Sequence, residues 1–337
     1  MKHITLMLGL LLLFAGITVH AAPSECPDNG PVKFACGPVS PEDLIEIPGS
    51  PWVIASGMED SGYIYFVNSD DYTSAAVYPS ENAIHELDSV RYRDCPGYDP
   101  SGFRPHGLSL VPGEKGVHNL LVVRHGSRES IEVFEITETE SLPDIKWVGC
   151  VIAPAGVVFN SVVSTPEGGM AATHFQLPTG FVYEWAQDTG WARAPGSEIA
   201  GPNGIELSAD GTWFYIAGWA SRSLVKLSRG QPEIFIDSVE VSHHIDNLRW
   251  SVDGSLLAAG HVGPEAASVF QCLSQQVCEG VSTRVTRIDV NNLTAREIIN
   301  YPSEPSFILG TVAIEVGNEI WVGGIAGSDR IARFDYR

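Results

Sequence analysis

The feature that most constrains this chain is a unit of strand, turn and strand that returns along its length. Asn203-Gly204-Ile205-Glu206-Leu207 leads into Ser208-Ala209-Asp210-Gly211 and out through Trp213-Phe214-Tyr215-Ile216-Ala217, after which Ser223 to Leu227 adds a third strand. The same order returns from Asp246 to Gly260 around Asp253-Gly254, and again from Gly310 to Gly323. Short apolar or alternating runs bounded by Gly, Pro, Asp and Ser read as strands, and a 3.6-residue apolar period is scarce. The chain is therefore expected to be all-β. Weaker copies of the unit open near Glu42, at His106 and at Asn160, so the six openings lie 64, 54, 43, 43 and 65 residues apart. The short intervals match one four-stranded blade of ~40–45 residues. Six copies predict a six-bladed β-propeller, with the longer intervals taken up by loop insertions. A β-sandwich is the competing arrangement, but it does not call for a polar residue at the start of every unit.

Ahead of the repeats, Met1-Lys2-His3 gives a positive start and Ile4 to Val19 is mostly apolar, ending at Val19-His20-Ala21. This is the pattern of a signal peptide. The run is shorter than the ~20 residues of a membrane span. The expected organisation is thus a signal peptide over 1–22, an N-terminal extension over 23–40 and the propeller over 41–337, exported to the periplasm or the extracellular space. The 41 acidic and 20 basic residues give a net charge of −21, which argues against nucleic acid or an anionic membrane surface as partner. Six cysteines in an exported chain favour disulfides. Cys26 with Cys36 and Cys272 with Cys278 are the natural local pairs, leaving Cys95 and Cys150 for a longer link, while six cysteines allow fifteen pairings and the spacing alone leaves the connectivity open. None has the spacing of a zinc site. Asn292-Leu293-Thr294 is a glycosylation sequon.

In a propeller the first strand of each blade lines the central channel. The residues that open the six units are Glu42, His106, Asn160, Asn203, Asp246 with Asn247, and Thr311. Carboxylates from two blades and side-chain amides from others, converging on one axis, make an oxygen-rich donor set, which is calcium chemistry. One Asn before Gly is more simply a turn residue. The inference rests on the whole set sharing one position in the repeat.

These segments resemble the paraoxonases, calcium-dependent lactonases and arylesterases among the gluconolactonase-like propellers. Phe103-Arg104-Pro105-His106-Gly107-Leu108-Ser109 is similar to the segment that carries the family's catalytic histidine, and Leu120 to His125 to the strand that ends in a second one. The resemblance implies that His106 and His125 are the catalytic pair. It also implies that Glu42, Asn160, Asn203, Asp246 and Asn247 hold a catalytic calcium, and that Asp43 and the carbonyl of Leu108 belong to a second, structural calcium site. His261 matches a histidine of the active-site wall, and His243 and His244 lie close to the channel mouth.

The chain departs from the family at two places. Ser161 stands where the family has Asp, which weakens the second calcium site. Phe334-Asp335-Tyr336-Arg337 contains no cysteine to join the chain ends, so ring closure is expected to rest on strand pairing between the termini.

The function implied is hydrolysis of a small-molecule lactone or aryl ester, with Ca2+ polarising the carbonyl and His106 activating water. Trp52, Phe175 and Trp219 are candidate pocket aromatics. A propeller that binds a partner or serves as a scaffold, with calcium only bracing the ring, is the alternative from a different class. Condensation of the strictosidine-synthase kind is a third, which the metal-ligand set disfavours.

Overall fold

The computed structural model describes residues 26, 28, 30–273, 278–326 and 328–336, so the expected signal peptide lies outside the described residues. Six sheets, antiparallel apart from one short added edge strand, are arranged in a ring, with the innermost strand of each at the centre. The six inner strands are Pro41–Glu46, Phe103–Val111, Phe159–Ser164, Pro202–Leu207, His244–Trp250 and Leu309–Val316. Each packs beside the next, and the last beside the first. The six-bladed propeller expected from the repeat is the fold found.

The sixth blade is completed from the other end of the chain. Lys33–Cys36 pairs antiparallel with Arg330–Asp335, with Lys33 opposite Arg333 and Cys36 opposite Arg330. Strand pairing therefore closes the ring, as the missing terminal cysteine implied. It also corrects one boundary: residues 33–36 lie in the segment expected to be an extension, yet they form a blade edge, with Phe34 and Ala35 buried. Their partners lie some three hundred residues away, so no local pattern betrays them.

The long intervals carry the insertions. In the first, the segment before Phe103 adds a short strand, Ile84–His85, parallel to Asp144–Ile152 at the edge of the second blade. In the fifth, the loop after Leu256–Val262 contains the helix Ala266–Cys272. The cysteines pair as Cys26 with Cys36, Cys95 with Cys150, and Cys272 with Cys278. Among the described residues no helix is long and apolar enough to cross a membrane.

The core lies between neighbouring blades, so middle strands are buried on both faces and their apolar runs are nearly continuous, as in Trp52–Gly57. Tyr78 of the first blade meets Phe103 and Phe134 of the second edge to face, with ring centroids 4.9 and 4.7 Å away. Such pairs contribute about 0.5–1.5 kcal/mol each beyond the area they bury. They seat the start of the strand that carries His106. Arg124 is wholly buried one residue before His125. Its guanidinium donates to the carbonyls of Asp99 and Ser101, each at 2.6 Å, and to Glu132, which also accepts from Trp147 Nε1. A paired buried charge is held strongly in place, because losing its partner leaves it unsolvated.

Candidate functional site

Each inner strand loses register with its neighbour at the polar residue that opens the repeat. The shifts fall between Pro41 and Asp43, Pro105 and Leu108, Phe159 and Val162, Pro202 and Ile205, Ile245 and Leu248, and Gly310 and Val312. Such an irregularity leaves the extra residue out of the ladder and re-aims its side chain. Glu42, His106, Asn160, Asn203, Asp246 with Asn247, and Thr311 are the residues so released.

Gly107 and Gly204 follow two of these positions for a different reason from a turn. Neither has a positive φ. A Cβ on Gly107 would come within 2.6 Å of the Asn160 carbonyl, and one on Gly204 within 2.6 Å of the Asp246 carbonyl. The missing side chain lets each blade approach the axial residue of the next. Asn203-Gly204 is thus not a turn.

Five of the residues so released, Glu42, His106, Asn160, Asn203 and Asp246, border a pocket of about 220 Å³, and Asn247 and Thr311 are not in its lining. Glu42 Oε2, Asn160 Oδ1 and Asn203 Oδ1 are buried with no hydrogen-bond partner among the described residues. An unpaired buried oxygen costs roughly 1–3 kcal/mol, so three in one place call for a cation. Asp246 has its carboxyl raised well above the usual range, first by burial and then by Glu42, while hydrogen bonding from Asn203 opposes the rise. Asn247 Nδ2 donates to Glu42 Oε1 at 2.7 Å, and Thr311 Oγ1 to the Glu42 carbonyl at 2.7 Å. Thr311 therefore holds Glu42 by its backbone. Among the described residues no three His, Cys, Asp or Glu side chains converge as a metal cluster. The axial set is instead two carboxylates with side-chain amides, and its chemistry fits calcium.

His106 Nδ1 lies 2.9 Å from His125 Nε2, and His106 Nε2 lies 3.5 Å from Glu42 Oε1. His125 Nδ1 is in turn 2.7 Å from Glu129 Oε2. Burial lowers the His125 pKa from its ordinary value, and the hydrogen bond to Glu129 works against that. Glu129 was not singled out from the sequence. Its signal, a carboxylate four residues past a histidine across a tight turn, is too common to stand out.

The weaker candidates divide. Trp219 Nε1 donates to His261 Nε2 at 3.1 Å, and both line the pocket. His244 stacks on Trp219 at 4.1 Å, with Nδ1 against the Trp219 carbonyl. His243 instead turns into its own blade, with Nε2 3.2 Å from the Ala258 carbonyl. Phe175 and Trp219 line the pocket, whereas Trp52 bonds to the Ser141 carbonyl elsewhere. The rest of the wall is apolar: Met58, Leu309 and Ile325, with Val269, Phe270 and Leu273 from the helix in the fifth blade's loop and just beyond it.

The two residues that the resemblance implied for a second calcium site come together around an arginine. The Arg249 guanidinium bonds to both the Asp43 carboxylate and the Leu108 carbonyl. A protein cation already meets the two expected ligands. A larger hollow of about 1140 Å³, lined in part by Ile45, Glu206, Arg249 and Trp250, has a different lining, whereas the smaller pocket borders His106 and the unpaired oxygens. We therefore take the smaller one as the candidate site.

No family model matches the chain. It is 27% identical over 214 residues to human serum paraoxonase/arylesterase 1, an alignment covering 58% of this chain and 57% of that protein. The chain thus spans a little over half the length of this relative. Several solved structures share the fold. A gluconolactonase from Xanthomonas campestris has a TM-score of 0.56 at 12% identity, covering 91% of this chain and 89% of its own. Regucalcin, a calcium-binding protein from Agrobacterium tumefaciens, has a TM-score of 0.53 at 12% identity, over 90% and 92%. A luciferin-regenerating enzyme has a TM-score of 0.54 at 12% identity, over 89% and 91%. These structures speak for the six-bladed fold, and the human relative bears out the resemblance to the paraoxonases.

Proposed function

We propose that this relative of the paraoxonases is an exported, calcium-dependent hydrolase of lactones or aryl esters. The observation that carries the reading is the meeting of three unpaired buried oxygens with a hydrogen-bonded histidine pair in one pocket with apolar walls. Glu42, Asn160, Asn203, Asp246 and Asn247 would hold the ion. When bound there, calcium supplies Lewis-acid stabilisation of negative charge on a substrate carbonyl oxygen.

The roles of the histidines follow from proton bookkeeping. Glu129, as a carboxylate, only accepts, so His125 carries its proton on Nδ1 and leaves Nε2 as an acceptor. His106 then donates from Nδ1 and presents an unprotonated Nε2 to the pocket. That nitrogen takes a proton from water as its oxygen attacks the carbonyl carbon. Glu42, 3.5 Å away, favours the imidazolium that results. The acyl–oxygen bond then breaks, and the leaving oxygen takes a proton back. His125 and the partly exposed Glu129 offer the surplus proton a way to solvent.

Three disulfides favour an oxidising compartment, which supports export. The apolar wall suits the hydrocarbon part of a small ester or lactone. The test is hydrolysis of phenyl acetate and of an aliphatic lactone by the purified chain, with calcium and with EDTA. Turnover that stops on chelation supports the reading. Absence of turnover on both substrates in saturating calcium would overturn it. His106→Gln separates a hydrolase from a binding protein, since only a hydrolase loses its measured property while keeping calcium.

A further inference from the structure

Arg249 is 4% exposed, and each edge of its guanidinium meets oxygen. Nη2 bonds to the Asp43 carboxylate and, at 2.9 Å, to the Leu108 carbonyl. Nε donates to the Leu44 carbonyl at 2.9 Å. Nη1 donates to Glu206 Oε1 at 3.2 Å and to the Leu248 carbonyl at 2.9 Å. These contacts match the five N–H bonds that an arginine possesses.

The five acceptors come from the inner strands of four blades: Asp43 and Leu44 from the first, Leu108 from the second, Glu206 from the fourth and Leu248 from the fifth. Two carboxylates and three carbonyls ringing one guanidinium are oxygen donors of the kind that suits a hard divalent cation. Negative charge gathered this deep needs a positive partner. Here the chain supplies that partner itself.

We infer that Arg249 is a built-in cation occupying a latent calcium site, and that removing its guanidinium opens the axis to one more divalent ion. The two carboxylates that remain match the charge of Ca2+, and Asp43 is already fixed in place by the amide hydrogens of Leu44 and Leu108, at 2.9 and 2.7 Å. Lysine at 249 keeps a positive charge at the site and excludes the ion. The ring is thereby braced across four blades by a group that a chelator cannot extract.

The experiment counts bound calcium per chain after equilibrium dialysis in wild type, Arg249→Ala and Arg249→Lys, together with thermal midpoints in EDTA and in calcium. The expected result is one more ion in Arg249→Ala than in wild type, and no gain in Arg249→Lys. The midpoint of Arg249→Ala should fall in EDTA and recover with calcium by far more than that of wild type. Two ions in wild type would overturn the inference. So would an Arg249→Ala chain with the wild-type count, or one that calcium fails to restore. The comparison is a difference, so it is separable from the catalytic reading: a wild type that takes no ion would remove the proposed function and leave the gain in Arg249→Ala to be read on its own.

Discussion

Nε2 of His125 lies 2.9 Å from Nδ1 of His106, and this one contact sets which nitrogen of His106 faces the pocket. If His106 is the base, His106→Gln should lower kcat by about 10²–10⁴, the usual worth of a positioned general base. Calcium affinity should stay close to wild type. A loss of calcium in the same measure as activity would instead make His106 part of the metal site.

Glu129 acts one step further out, so Glu129→Gln tests positioning. Glutamine keeps the size but can also donate, and it no longer fixes the proton of His125 on Nδ1. We expect a smaller fall in kcat than for His106→Gln, with KM almost unchanged. The 15N shifts of His125 should move from a single Nδ1–H tautomer toward a mixture. An unaltered tautomer would remove Glu129 from the relay.

For the ion, Asp246→Asn retains the shape of the side chain and removes one of two axial carboxylates. Calcium affinity should drop at least ~10-fold, because ligand charge governs affinity at such sites. Asn203→Ala should also weaken binding, through loss of an oxygen that has no other partner. Isothermal titration measures both. Unchanged affinity in the two variants would move the ion elsewhere.

The repeat was legible because a polar residue interrupts an apolar strand at one place in each unit. The structure adds the cause, a break in register at the same place in all six inner strands. Arg249 and Glu129 were not legible. An arginine in a strand and a glutamate after a turn read as solvated charges until the ring closes around them. The edge strand Lys33–Cys36 and the pocket wall from the Ala266–Cys272 helix were hidden for the same reason: each takes its meaning from residues distant in sequence. Family likeness supplied the expected second ion at Asp43, and the arginine that meets Asp43 there is one more contact between distant residues.

The helix of the fifth blade's loop should govern which substrates fit. Phe270 packs 5.1 Å from Trp219 at the open side of the pocket and is 46% exposed. Phe270→Ala should raise KM for a long-chain or bulky aryl ester by about tenfold, since even one methylene in an apolar pocket is worth roughly 1–3 kcal/mol. A small acetate ester should be affected far less. Equal effects on both would mean that the helix does not touch the substrate.

His243 gives the fold a dependence on pH that can be isolated. Its ring is fully buried, Nε2 meets the Ala258 carbonyl at 3.2 Å, and Nδ1 has no partner among the described residues. Burial holds its pKa down to about 4, against the pull of the Ala258 carbonyl and of Glu297. Between pH 6.5 and 4 the unfolded chain therefore binds a proton at this position that the folded chain refuses. Stability from this group is complete above pH 6.5 and is lost as pH falls through that window, by an amount on the order of 3 kcal/mol. Arg284 and His244 add to the depression, and His261, lowered to about 3, contributes a slope of the same sign. His243→Gln should flatten the decline without abolishing it, as followed by denaturant unfolding at pH 7, 6, 5 and 4. Parallel curves for wild type and variant would show that His243 titrates alike in both states, and the acid sensitivity would then belong to other groups.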